Sequence, residues 1–135
     1  MTAKQYLMQA FWMKKKIESM QEDILRLEAA ATDCSPNLTG MPHNPSPSHS
    51  RMADIVCKII DRKDELKKKV DELAQLSAEI QLTISQLDNA DHRIILYKRY
   101  IESEAWQDIA ITMGYSERQI YRFHAAALNE LVVPA

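Results

Sequence analysis

Residues 105–131 read Ala-Trp-Gln-Asp-Ile-Ala-Ile-Thr-Met-Gly-Tyr-Ser-Glu-Arg-Gln-Ile-Tyr-Arg-Phe-His-Ala-Ala-Ala-Leu-Asn-Glu-Leu, and the spacing inside this stretch decides the fold. Ile109 and Ala110 face inward from a first short helix, and Ala110 is small enough for a second helix to cross it closely. Gly114 stops the first helix, because a residue without a Cβ takes φ > 0 at a helix C-terminus at little cost. Ser116 is the N-cap of the next helix, whose Ile120 packs back on Ile109 and Met113. Trp106 anchors the start, and Ala127 and Leu128 carry the inward face onward. Two helices joined by so tight a turn are a helix-turn-helix.

Working outward, Ser103 reads as the cap of a helix over about 104–113, and the final helix runs over 116–131. Asp88-Asn89-Ala90-Asp91 breaks an earlier pattern, so another helix restarts there and extends to about Ile101, with Ile94, Ile95, Tyr97 and Ile101 as its apolar members. Residues 88–135 are therefore expected to form a three-helix domain.

The N-terminal part is organised differently. Tyr6, Ala10, Met13, Ile17, Met20, Ile24, Leu27 and Ala31 alternate spacings of four and three, the seam of a coiled coil. Leu7, Phe11 and Trp12 widen it near its start. Four of the five prolines and one of the two glycines then fall within residues 35–50, and proline removes the backbone donors a helix needs. That segment is expected to be an exposed linker. Over 51–87, Ile59, Leu66, Leu73, Ile80 and Leu87 mark one heptad position and Val56, Val70 and Ile84 a second, with Lys63 and Ser77 as polar breaks. The expected architecture is all-α: a first long helix (1–34), a linker (35–50), a second long helix (51–87) returning as an antiparallel, coiled-coil-like hairpin, and the helix-turn-helix domain (88–135). Each seam fits a partner in the same chain or in a second copy. Two helices make a thin core, so self-association, with a dimer favoured, or packing against the C-terminal part is expected.

Composition narrows the function. The chain has 135 residues, 46% of them hydrophobic and 27% charged, a globular balance. No stretch approaches the roughly 20 apolar residues of a membrane span, no secretory leader is visible, and Cys34 and Cys57 make no disulfide framework. A cytoplasmic protein with no membrane partner is expected. Cys34, His43, His49 and Cys57 match no compact zinc spacing, so no metal or other cofactor is expected. No phosphate-binding loop and no recognisable nucleophile and base occur, which argues against an enzyme. The runs Lys14-Lys15-Lys16 and Lys67-Lys68-Lys69 have acidic neighbours and read as solvated helix faces.

The remaining chemistry lies on the last helix. With Ile120, Ala127 and Leu131 inward, Arg118 and Arg122 point outward, and Gln119 and Tyr121 flank them. Arginine pairs bidentately with guanine and glutamine with adenine in the major groove, and Ser116 at the helix start can offer a phosphate its backbone N–H and hydroxyl. Lys98 and Arg99 either contact phosphate or are simply solvated. Trp106 reads as a core anchor and His124 as a packing or capping residue.

Residues 84–131 resemble the fourth region of sigma-70-family factors. They look closer still to phage late-gene transcription activators built on that module. Leu87, Arg93, Leu96, Arg99, Tyr100 and Ile101 carry the likeness in the leading helix. Trp106, Asp108-Ile109-Ala110, Met113-Gly114-Tyr115-Ser116, Arg118, Ile120, Arg122, His124, Ala127-Leu128 and Leu131 carry it in the motif. The resemblance implies double-stranded DNA and the host RNA polymerase as partners, in a bacterial cytoplasm at the nucleoid. Nothing corresponds to a promoter-melting region, so a complete sigma factor is not expected. Residues 88–135 hold Arg93, Lys98, Arg99, Arg118 and Arg122 against Asp88, Asp91, Glu102, Glu104, Asp108, Glu117 and Glu130, an acidic balance that leaves DNA contact to local clustering. The expected function is a sequence-specific DNA-binding transcription regulator of phage or prophage type. The alternatives are a phage DNA-packaging recognition subunit, like a small terminase, and a protein-binding helical scaffold.

Overall fold

The structure is a computed structural model that describes residues 1–33 and 47–134, without the side chains of residues 47–49. It is all-α, as expected, and the described residues contain no strand. The helices are α1 (Ala3–Asp33), α2 (Pro47–Ser85), α3 (Ala90–Leu96), α4 (Trp106–Met113) and α5 (Glu117–Glu130), and α3 continues into a π-helical turn over Tyr97–Ile101. Residues 35–46 of the expected linker lie outside the described residues. The rest of that linker is a correction: α2 already begins at Pro47. Proline suits a first helical position, where its fixed φ is helical and its missing N–H would have had no partner.

The chain divides into two compact units, residues 1–14 with 72–135, and residues 15–71. The segment expected as a C-terminal domain, 88–135, falls within the first of these units. The short helices of the C-terminal part cannot cover their own apolar faces, and the first turns of α1 and the last turns of α2 do it for them. Tyr6, Leu7, Ala10, Ile80, Ile84, Leu87, Leu96, Tyr100, Ala127 and Leu131 form one buried cluster. A Thr2–Gln5 capping box fixes the start of α1: the Thr2 N–H donates to Gln5 Oε1 at 2.9 Å and the Gln5 N–H to Thr2 Oγ1 at 3.2 Å. Two backbone donors that a helix start leaves orphaned are thereby satisfied.

In the other unit, α1 and α2 pair within one chain. Ile17, Ile24 and Ile55 are buried, and Lys63 reaches Glu28 at 3.3 Å. Each seam residue expected on α1 is buried or half-buried. Trp12 is not part of the stripe, being 62% exposed. On α2 the first heptad position holds, with Ile59 and Leu66 half-buried. The second holds only at Ile84, which is buried: Val56 and Val70 are exposed, and Ile55 is buried beside Val56. The heptad count alone leaves open which flank of Ile59 completes the seam, and at Ile55 it is the flank one residue earlier.

The segment before α4 also departs from expectation. Ile94 and Tyr97 are partly exposed, and Leu96 and Tyr100 take the inward positions beside Ile95. Asn89 caps α3, accepting from the Asp91 and His92 N–H groups at 2.9 and 3.4 Å. Ser103 caps nothing. It sits at φ 57°, and its hydroxyl accepts from Lys14 Nζ at 3.4 Å, while that ammonium also bonds the Ile101 carbonyl. The left-handed residue turns the chain, so α4 starts only after Ala105, which offers no side-chain cap.

Candidate nucleic-acid interface

The helix-turn-helix is built as its spacing demands. Ile95, Ile109, Ala110 and Ile120 are its buried core, with Trp106, Met113, Tyr115 and Phe123 packed around them. Gly114 adopts φ 74° and its N–H returns to the Ala110 carbonyl at 2.9 Å. Ser116 caps α5, its hydroxyl oxygen accepting from the Gln119 N–H at 3.2 Å. The Ser116 hydroxyl proton stays available to an incoming acceptor. Ala127 and Leu128 do not complete this core, as the sequence had suggested. They pack in the other cluster, against Leu7, Ala10 and Tyr100. Helix α5 thus serves two cores, with its N-terminal half in the motif and its C-terminal half against the start of α1.

The outward face carries Arg118, Gln119, Tyr121 and Arg122, all exposed. Among the described residues neither Arg118 nor Arg122 has an ion-pair partner. Glu117, Arg118, Tyr121, Arg122 and Ala125 line one shallow depression of about 550 Å³. Gln119 and Ser116 lie outside it. Reading the sequence for charge missed Ala125, whose small side chain leaves the depression open. Its signal is the i, i+4 spacing from Tyr121.

Tyr121 is held from behind. The Trp106 ring meets it edge-on at 5.2 Å and His124 edge-on at 4.7 Å. The Arg99 guanidinium lies 4.5 Å from the Trp106 ring centre, a cation–π arrangement, and donates to the Glu104 carbonyl at 3.0 Å. Lys98 pairs with Glu102 at 3.7 Å and Glu104 at 3.6 Å. Both expected phosphate contacts are therefore engaged within the fold, Lys98 by carboxylates and Arg99 by the base of the tryptophan platform. Glu104 Oε2 is buried without a hydrogen-bond partner.

Behind the platform, His124 Nε2 lies 2.7 Å from the Tyr100 hydroxyl, and the two rings stack. Burial holds the His124 imidazole down at about 4, aided by the positive charges of Lys4 and Arg99, so it is neutral at pH 7. Burial likewise pushes the Tyr100 phenol up, against the pull of Arg99. The Tyr115 phenol, which donates to Asp91 Oδ2 at 3.1 Å, is also raised, by that hydrogen bond and the carboxylate charge. On the far side of α5, buried His92 lies 3.1 Å from Glu130 Oε2, tying α3 to α5. These aromatic and histidine contacts make a stiff mount for the outward face.

No group of three metal-ligating side chains occurs among the described residues. Cys34 and His43 lie outside the described residues, as does the side chain of His49, and Cys57 is exposed. No helix among the described residues is long and apolar enough to cross a membrane. No curated protein matches the chain, and no solved structure does. The pattern of one family covers residues 46–132, which takes in all of α2 and the whole helix-turn-helix but not α1. By that match the chain belongs to the family described as protein of unknown function DUF1492.

Proposed function

We propose that this protein is a sequence-specific DNA-binding transcription regulator of phage or prophage type, with α5 as the recognition helix. The observation that carries the reading is the outward face of α5. Two arginines one helical turn apart, Arg118 and Arg122, are exposed and without ion-pair partners among the described residues, on a helix whose other face is locked into a helix-turn-helix core. A regulator needs that arrangement: rigid presentation, with guanidinium groups left over for base edges. In this reading Arg118 and Arg122 contact guanines, Gln119 and Tyr121 flank them, and Ser116 meets a phosphate at the helix start. The likeness to the sigma-70 fourth region and to phage late-gene activators supports the same reading and suggests the host RNA polymerase as a second partner. Two linked copies would gain affinity through effective concentration, which suits an acidic module.

A protein-binding scaffold is the second reading. An apolar groove of about 580 Å³ favours it, lined by Ile84, Ile94 and Tyr97 with Gln81, Arg93 and Lys98 among its rim. Binding of the purified protein to DNA fragments from around its own gene, at two salt concentrations with random competitor, separates the two. Specific binding that weakens with salt is the expected result. No binding to any fragment at low salt would leave the scaffold.

A further inference from the structure

We propose that Ala125 and Tyr121 together receive the 5-methyl group of thymine, so that the DNA read by this protein carries a T·A pair beside the guanines taken by Arg118 and Arg122; this rests on the DNA-binding reading above. Successive residues of an α-helix turn by about 100° around its axis. Ile120 is fully buried in the motif core and marks the inward direction of α5. Arg118 and Arg122 each fall about 20° from the point opposite it, Ala125 about 40°, and Gln119 and Tyr121 about 80°. Ala125 is thus nearer the centre of the outward face than Gln119, and around the axis it lies between Tyr121 and the arginines. It is exposed. Arg118, Tyr121, Arg122 and Ala125 are spaced i, i+3, i+4 and i+7, so all four line one face of a helix that a groove can receive.

The chemistry of this face is mixed. Glu117, Arg118 and Arg122 bring charge to the shallow depression, and Ala125 with the Tyr121 ring brings its apolar surface. Trp106 backs the Tyr121 ring edge-on at 5.2 Å, so that surface is held in place. An alanine side chain cannot hydrogen-bond to a base, and the thymine methyl is the one apolar group that the four bases show in the major groove. A methyl side chain so near the centre of the reading face is therefore matched to thymine. Arg122 and Ala125 stand about 4.5 Å apart along the helix axis, against about 3.4 Å between stacked base pairs. That places the methyl contact one or two base pairs from the guanine bound by Arg122.

The test uses the full-length protein and a random-sequence duplex library, from which bound sequences are recovered and read. The enriched motif is then made with deoxyuridine in place of each thymidine in turn, which removes the methyl group and leaves base pairing intact. At one position that change is expected to weaken parental binding by roughly three- to ten-fold. Ala125→Gly should bind the thymidine and deoxyuridine duplexes alike. Ala125→Gln keeps a good helix former at this exposed site and should enrich a different base at that position. Circular dichroism should show parental helix content in Ala125→Gln. A parental motif without a T·A pair, parental affinity for every deoxyuridine duplex, or an equal loss in Ala125→Gly would each overturn the proposal while leaving the recognition helix standing. Failure of the parent to enrich any sequence would overturn the DNA reading, and this one with it.

Discussion

The Tyr6 hydroxyl meets the Thr83 hydroxyl at 3.2 Å, joining the first turn of α1 to the last turns of α2. Thr83 gives its single proton to the Glu79 carbonyl at 3.0 Å, so Tyr6 is the donor. This buried bond sits in the cluster that also holds Ala127 and Leu131 of α5. The stability of the C-terminal helices is therefore linked to residues at the start of the chain. Leu7, fully buried in the same cluster, should cost about 2–5 kcal/mol when changed to alanine, through lost apolar burial and the cavity left behind. Tyr6→Phe should cost only about 0.5–1.5 kcal/mol. Urea unfolding gives both values. Amide hydrogen exchange should show protection falling in α4 and α5 as well as in α1. Unchanged protection in α5 of Leu7→Ala would contradict the shared core.

Gly114 offers a cleaner separation of strain from sterics. A Cβ built there meets nothing within 4 Å, yet φ is +74°. Gly114→Ala should therefore destabilise by about 1–2 kcal/mol through backbone strain alone, and Gly114→Asn by less, since asparagine visits the left-handed region more readily. Equal losses in the two variants would point to a steric cause that the geometry does not contain.

His124 gives the fold a pH dependence of definite sign. Its imidazole is held at about 4 in the native protein, whereas a free one titrates near 6.5. Above about pH 6.5 both states are neutral and the group makes no difference. Between about 6.5 and 4 the unfolded chain takes up a proton that the native one refuses, so stability falls as pH falls. His124→Gln should flatten that part of the profile, even though losing the Tyr100 hydrogen bond and the Trp106 contact lowers stability at pH 7. Denaturant midpoints at pH 7 and pH 5 in both proteins test it. Equal drops would mean that the native imidazole is not held down.

Arg118→Ala with Arg122→Ala should abolish specific DNA binding while helix content and particle size stay at parental values. Both side chains are exposed and neither belongs to a core cluster. A gel-shift assay with circular dichroism and light scattering reads all three properties. Retained specific binding would remove α5 from the recognition role.

Ser116 tests the start of the same helix. Its hydroxyl caps the Gln119 N–H, and Ser116→Ala should cost about 1 kcal/mol in thermal or denaturant unfolding. Ser116→Asp should restore that stability while weakening DNA binding, because a carboxylate at the helix start repels phosphate. If it also restored parental DNA affinity, the phosphate contact would be excluded.

Local patterning determined a large part of this protein from the sequence alone. The α1 seam, the Gly114 stop, the Ser116 cap and the inward set Ile109, Ala110 and Ile120 follow from rules that act within a few residues, where helix periodicity and backbone sterics leave little choice. The outward placement of Arg118 and Arg122 follows from the same periodicity. Contacts distant in sequence decided the rest. A heptad count does not say which flank of Ile59 turns inward, and in the folded chain it is Ile55 and not Val56. Spacing within the motif does not show that Ala127 and Leu128 belong to a second core, since their partners Leu7 and Ala10 lie more than a hundred residues earlier. Ser103 looked like a cap, but its left-handed backbone and the contact with Lys14 moved the start of α4 beyond it. Lys98 and Arg99 read alike as charges, and only the fold gave one to carboxylates and the other to Trp106. Helix and turn signals are local free energies written into adjacent residues, whereas a core is a joint property of segments that meet only once the chain has folded.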